Sequence, residues 1–158
     1  MRVTEGKLTG TGLNIAVIAS RSGEPVASKL LDGARDSLMR HDVSGSSIDI
    51  FRVPGVFELP LVAKELALTG KYDAIIALGA VIPCDDILAA EVARGLAGVS
   101  LEQRVPVAFG VLVTETLEQA LAQAYNKGAG CAVTAIETAN LLRNICRQNT
   151  TEERTLNA

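Results

Sequence analysis

Four short apolar runs, each followed by a segment with helical periodicity, constrain the fold of this chain more than any other feature. The runs cover residues 14–20, 47–53, 74–82 and 105–113. Runs of this length that are rich in β-branched residues predict strands buried on both faces. Apolar spacing predicts helices at residues 25–41, 57–68, 88–99, 115–124 and 129–147. This alternation predicts an α/β fold with a four-stranded parallel sheet that helices cover on both faces.

The loops after the strands are where a site is expected. In open parallel sheets, ligands bind at the carboxyl ends of the strands. The sequence therefore directs attention to the loops that follow Ser20, Val53, Ile82 and Val113.

Length and composition restrict the class of protein. The chain has 158 residues, 48% hydrophobic and 21% charged, with a formal net charge of -3. This composition excludes an intrinsically disordered chain, and no apolar run approaches the roughly 20 residues that cross a bilayer. The acidic balance and an aromatic content of 3% argue against nucleic acid or a membrane surface as a partner. We expect one domain at residues 1–147, with an N-terminal arm at 1–12, and a disordered polar tail at 148–158.

Cysteine and histidine are scarce. Cys84, Cys131 and Cys146 are widely spaced, and His41 is the one histidine of the sequence. This set predicts neither a disulfide framework nor a zinc site, and free thiols are typical of a reducing compartment. The first residues also lack the basic and then apolar pattern of a secretory signal. We therefore expect a cytoplasmic protein without a metal centre.

The loops and their flanking strands carry a set of motifs in a recognisable order. They include Glu-Gly-Lys-Leu at 5–8, Val-Pro-Gly-Val-Phe-Glu-Leu-Pro at 53–60, Ala-Leu-Gly-Ala-Val-Ile at 77–82 and Phe-Gly-Val-Leu at 109–112. Asn-Lys-Gly at 126–128 and Ala-Ile-Glu-Thr-Ala-Asn-Leu at 135–141 follow. The chain resembles the lumazine synthase family over residues 3 to about 143, and the ordered combination is far more specific than any single motif.

The resemblance implies a fold and an activity. The family has a flavodoxin-like three-layer α/β/α sandwich and condenses 5-amino-6-ribitylaminouracil with 3,4-dihydroxy-2-butanone 4-phosphate, a step of riboflavin biosynthesis. It uses no metal or organic cofactor. Its subunits form homopentamers and often shells of sixty subunits, with each active site between neighbouring subunits. Its partners are thus further copies of itself and a ribitylaminopyrimidine or flavin ligand.

The resemblance also implies site residues. The substrate-binding positions of the family fall on Ser22, Val56, Phe57, Glu58, Ala80, Val81, Ile82, Phe109, Gln123 and Lys127. Phe109 corresponds to a phenylalanine that the neighbouring subunit lends to the site. Glu58 corresponds to an acceptor of hydrogen bonds from ribityl hydroxyls.

Several of these positions depart from the family pattern. Where the family has Arg-Gly-x-Thr-Pro-His after the third strand, this chain has Pro-Cys-Asp-Asp at 83–86. The simplest alignment deletes the phosphate-binding turn and places Cys84 at the position of the catalytic histidine, so no catalytic residue is assigned here. Gln123 stands where a phosphate-binding arginine is expected, and a Gln lacks the charge and the planar fork of Arg. Ser22 stands where an aromatic side chain stacks on the pyrimidine.

Individual residues allow more than one interpretation. Cys84 is either a nucleophile or base near a helix start, or an inert thiol whose acidic neighbours keep it protonated. Asp85 and Asp86 are expected to favour the start of the following helix. Glu58 is either a ligand acceptor or a helix-start carboxylate, and Lys127 is either a site residue or a solvated one. His41 is expected on the surface, away from the site.

Three hypotheses about function follow. The sequence favours a homo-oligomeric assembly protein of lumazine synthase ancestry that has lost most or all of the chemistry. The first alternative is an active lumazine synthase with an atypical site. The second alternative is a binding module for flavin or lumazine.

Overall fold

The fold is built on a single four-stranded sheet. The structure, a computed structural model, describes residues 1–156. Its strands are β1 (Ile15–Ser20), β2 (Ile48–Val53), β3 (Ala74–Val81) and β4 (Val107–Val113). They lie in the order β2-β1-β3-β4, and every neighbouring pair is parallel. The predicted four-stranded parallel sheet is therefore confirmed, with strand ends within two residues of the predicted ones.

Four helices cover the sheet in two layers. They are α1 (Val26–Arg40), α2 (Leu59–Leu68), α3 (Asp86–Gln103) and α4 (Leu117–Leu156). Helices α1 and α4 pack on one face, and α2 and α3 on the other. This arrangement is the predicted three-layer α/β/α sandwich. No helix among residues 1–156 is long and apolar enough to cross a membrane.

The two central strands explain why the layers form. Every residue of β1 and β3 is buried. Because successive side chains of a strand point to opposite faces, Ile15 and Val17 enter the core beneath α1 and α4, while Ala16 and Ile18 enter the core beneath α2 and α3. A strand that is apolar on both sides requires a helical layer on each side.

The last helix differs from the prediction. The sequence predicts two helices separated at residues 125–128 and a disordered tail from Gln148, but in the structure α4 is continuous from Leu117 to Leu156. The polar and glycine residues that indicated a break are accommodated because this part of α4 contacts α1. Intrinsic helix propensity takes no account of such a tertiary contact. Beyond Gln148, the hydroxyl of Thr150 donates to the carbonyl of Cys146 within the helix, at 3.0 Å. Residues 157–158 of the predicted tail lie outside the described residues.

The N-terminal arm lies along α4. The side-chain amide of Asn140 donates to the carbonyls of Lys7 and Thr9 at 2.7 and 2.8 Å. A Cβ at Gly6 would lie 1.8 Å from the carbonyl oxygen of Glu137, so only glycine permits this approach. The arm is thus fixed to its own chain before β1 begins.

Two glycines bring α1 and α4 into backbone contact. A Cβ at Gly33 on α1 would lie 2.0 Å from the carbonyl oxygen of Tyr125 on α4. Reciprocally, a Cβ at Gly128 on α4 would lie 2.0 Å from the carbonyl oxygen of Leu30 on α1. The Tyr125 hydroxyl also accepts from Arg40, at 2.6 Å. This close crossing fixes the layer that covers one face of β1 and β3.

Replacement of Gly33 by Ala is expected to destabilise the protein by about 1–3 kcal/mol, because the new methyl group meets backbone that cannot move independently. Urea unfolding at one fixed protein concentration measures the change. Gly98→Ala on α3 is the matched control, because a Cβ there meets nothing within 4 Å, and it should leave stability unchanged or raise it slightly. Equal stability of Gly33→Ala and the wild type would contradict the role assigned to this contact.

Candidate functional site

A cleft of about 420 Å³ opens at the carboxyl ends of the strands. Three segments build it: the loop after β1, the turn after β2, and the end of β3 with the loop that leads to α3. Seven of the residues that the sequence predicts for the site line this cleft: Ser22, Val56, Phe57, Glu58, Ala80, Val81 and Ile82. The structure adds Gly23, Gly55, Pro83, Asp85 and Leu88 to the lining.

Two contacts, one with Ser20 and one with Ala80, fix the loop after β1. The buried hydroxyl of Ser20 donates to the carbonyl of Ser22 at 3.0 Å. Gly23 has a φ of 81°, which favours glycine, and a Cβ there would lie 3.3 Å from the Cβ of Ala80. These contacts hold Ser22 at the rim of the cleft, where it is exposed.

A carboxylate anchors the same loop to its surroundings. Glu24 accepts from the Ser28 hydroxyl at 2.5 Å and pairs with the guanidinium of Arg52 on β2. The hydrogen bond from Ser28, followed by that from Arg52, lowers the pKa of Glu24 below its ordinary value. Glu24 is therefore ionised at neutral pH and ties the loop to β2 and to α1. Sequence analysis missed this pair, because no local pattern links a loop residue to a neighbouring strand.

The turn after β2 presents three residues with different exposure. Residues Val56–Glu58 form a single 3-10 turn before α2. Val56 is buried at the base of the cleft, whereas Phe57 is 67% exposed at its edge. Glu58 immediately precedes α2 but accepts no capping hydrogen bond with its side chain. Its Oε2 would lie 3.1 Å from a Cβ at Gly55, so the carboxylate folds back over the turn.

The loop after β3 carries the thiol that stands at the expected histidine position. The Cys84 thiol donates to Oδ1 of Asp86 at 3.2 Å. This hydrogen bond raises the pKa of Cys84 above its ordinary value, and burial and the charges of Asp86, Glu115 and Asp85 raise it further. Cys84 is not among the residues that line the cleft. The thiol is thus protonated at neutral pH, in agreement with the inert interpretation.

The two aspartates begin α3, as the sequence predicts. Oδ1 of Asp85 accepts from the backbone N–H of Leu88 at 3.0 Å, which makes Asp85 the N-cap residue. Asp86 is the first residue of the helix and lies in the favourable field of its N-terminus. The structure also places Asp85 in the cleft lining, which the helix-start pattern alone does not reveal.

The other three predicted site residues lie elsewhere. Phe109 on β4 and Lys127 on α4 line a second pocket of about 290 Å³, which shares no residue with the cleft. Phe109 is 36% exposed there. Gln123 is exposed on α4 and lines neither pocket. A single chain therefore brings together seven of the ten predicted positions and holds Phe109 and Lys127 apart from them.

The titratable side chains give the cleft a limited chemistry. His41 lies at the end of α1, with its Nδ1 2.7 Å from the Ser37 carbonyl oxygen, and lines neither pocket. Among the side chains that the structure describes, which leave out those of residues 152, 153 and 155–158, no three from His, Cys, Asp or Glu are arranged to hold a metal ion. Glu58 and Asp85 are the charged residues of the cleft lining. The cleft can therefore accept hydrogen bonds from a ligand.

Comparison with known families agrees with this architecture. The family model for 6,7-dimethyl-8-ribityllumazine synthase matches residues 12–143. The matched region contains all four strands, the cleft and the second pocket. The match covers well over half of the chain, and the resemblance found in the sequence is confirmed at this level. This chain therefore belongs to the 6,7-dimethyl-8-ribityllumazine synthase family.

Proposed function

We propose that this family member is an assembly protein, a pentamer or a shell of twelve pentamers, that forms lumazine poorly or not at all. The main support for the proposal is that the Cys84 thiol is protonated and lies outside the cleft. This thiol stands at the expected histidine position, is hydrogen-bonded to Asp86 and has a raised pKa. A protonated thiol outside the cleft is a poor substitute for an imidazole that titrates near neutral pH.

A second departure supports the same conclusion. Gln123 stands where the family pattern has the arginine that grips the substrate phosphate. An amide offers neither a positive charge nor the planar pair of donors that Arg offers to an anion. Removal of one such electrostatic group from an enzyme typically lowers the rate about 10²-fold or more. Loss of both the proton-transfer group and the phosphate-binding charge should therefore reduce turnover severely.

The separation of the site residues supports assembly. In the family, a complete site needs a phenylalanine from the adjacent subunit, and the lysine of the Asn-Lys-Gly motif is part of the same site. Here Phe109 and Lys127 line a pocket of their own, away from the cleft. A ring of copies related by one rotation would place this pocket of each chain against the cleft of the next. Light scattering should accordingly report the mass of five chains, or of sixty.

The intact cleft favours a second candidate, a binding module for an uncharged ribitylpyrimidine or flavin. Its volume of about 420 Å³ lies within the range of small-molecule sites. Val56, Val81 and Ile82 provide apolar walls, and the carboxylate of Glu58 is available to hydroxyl donors. Binding and assembly are compatible, so this candidate adds a ligand to the proposed particle. The three free cysteines fit a reducing compartment, and we place the protein in the cytoplasm.

Turnover is tested directly by the absorbance of 6,7-dimethyl-8-ribityllumazine, with both family substrates at saturating concentration and the protein in excess. We expect no product above the uncatalysed rate. An active family enzyme in a parallel reaction with the same substrates controls for substrate quality. Clear catalysis would contradict the proposal and would mean that another residue, such as Lys127, transfers the protons.

The state of the Cys84 thiol is tested by alkylation with iodoacetamide at pH 8, followed by peptide mass spectrometry. Asp86→Asn replaces the carboxylate that raises the pKa of Cys84 through its hydrogen bond and, to a smaller extent, through its charge. A lower pKa means more thiolate at pH 8, so we expect Cys84 to react several-fold faster in the variant.

Exposed Cys146 in the same chain is the internal reference and should react equally in both proteins. If Cys84 in the wild type reacts as fast as in Asp86→Asn, the thiol is not held protonated by Asp86, and the argument from its state is wrong.

A further inference from the structure

We infer that Asp85 makes this cleft select an uncharged ligand over one that carries a phosphate, because its carboxylate already accepts from one of the helix amides that would receive an anion and adds a negative charge at that point. The inference rests on the proposed function to the extent that the cleft remains a ligand site. In this role Asp85 determines specificity by excluding ligands that carry a phosphate.

The geometry at the start of α3 is the first support. A helix N-terminus with free amides is a ready site for a phosphate oxygen. In this chain the side chain of Asp85 accepts from the Leu88 N–H at 3.0 Å. The backbone carbonyl of Asp85 accepts from the Ala89 N–H at 3.0 Å, as is usual in a helix. Asp85 also lines the cleft. A carboxylate of the chain itself therefore sits where a ligand anion would gain its strongest contacts.

The charge of the lining is the second support. The charged lining residues, Glu58 and Asp85, are both acidic, and no Lys, Arg or His belongs to the described lining. The nearby Arg52 is engaged by Glu24. A phosphate dianion beside two carboxylates is repelled by their like charge.

Asp86 and Glu115 extend the negative field beyond the lining. Both raise the pKa of the Cys84 thiol, as Asp85 does. All three carboxylates therefore lie close enough to Cys84 to disfavour its thiolate form.

The apolar and acidic residues of the cleft lining indicate which class of ligand fits. Apolar walls at Val56, Val81 and Ile82 suit a flat ring, and an unengaged carboxylate at Glu58 suits hydroxyl donors. The favoured class is an uncharged ring that carries hydroxyl groups. The disfavoured class is the phosphate ester of such a compound.

Riboflavin and riboflavin 5′-phosphate form a matched pair that differs only in the phosphate, and quenching of flavin fluorescence measures the binding of each. We expect the wild-type protein to bind riboflavin about tenfold more tightly or better, as expected for a difference of one or two charge interactions. Asp85→Asn keeps a capping oxygen and removes the charge, so the preference should fall to a few-fold. Glu115→Gln removes the same charge outside the lining and should retain most of the preference.

Equal affinity of the wild type for both flavins would overturn the inference, as would failure to bind riboflavin. An unchanged preference in Asp85→Asn would show that another group excludes the phosphate. These results are separable from the proposed function. A monomer with the flavin preference would contradict assembly alone, and a pentamer that binds both flavins equally would contradict this inference alone.

Discussion

Burial of β1 and β3 on both faces is the constraint on which the rest of the structure depends. All side chains of these strands are withdrawn from solvent, which is favourable only if a helical layer covers each face. One layer is fixed by the glycine contacts between α1 and α4, and the other consists of α2 and α3. Parallel pairing then brings the carboxyl ends of β1, β2 and β3 to one edge. The cleft opens where these strand ends lie side by side.

The same constraint explains how much of the fold the sequence could predict. Fully apolar strands and periodic helices are local patterns, so the elements and the parallel sheet were predictable. The continuity of α4 was not, because Asn126 and Gly128 resemble a helix end. In the structure, Gly128 has a tertiary role, in which the absence of a side chain admits the Leu30 carbonyl. Close helix contacts involve residues far apart in the sequence, and a local pattern cannot distinguish them from a break.

The candidate site was predictable to a similar degree. The motif at residues 53–60 and the end of β3 identified six lining residues of the cleft, and Ser22 in the loop after β1 is the seventh. The helix-start pattern correctly assigned Asp85 to the beginning of α3, yet not to the cleft, since capping and lining are compatible roles of one carboxylate. The Glu24–Arg52 pair and the placement of Phe109 and Lys127 in another pocket depend on the arrangement of strands. A scaffold that keeps the cleft while changing the groups around it is how one fold supports several functions.

The central claim is that copies of this chain complete each other's sites without restoring a proton-transfer group. A cryo-EM map of the purified protein tests this most directly. The account predicts a closed ring in which Phe109 and Lys127 of one copy face the cleft of the next, with Cys84 turned towards Asp86 and no histidine at the interface. A monomer, a ring joined through other surfaces, or a His41 side chain of a neighbour reaching into the cleft would contradict it.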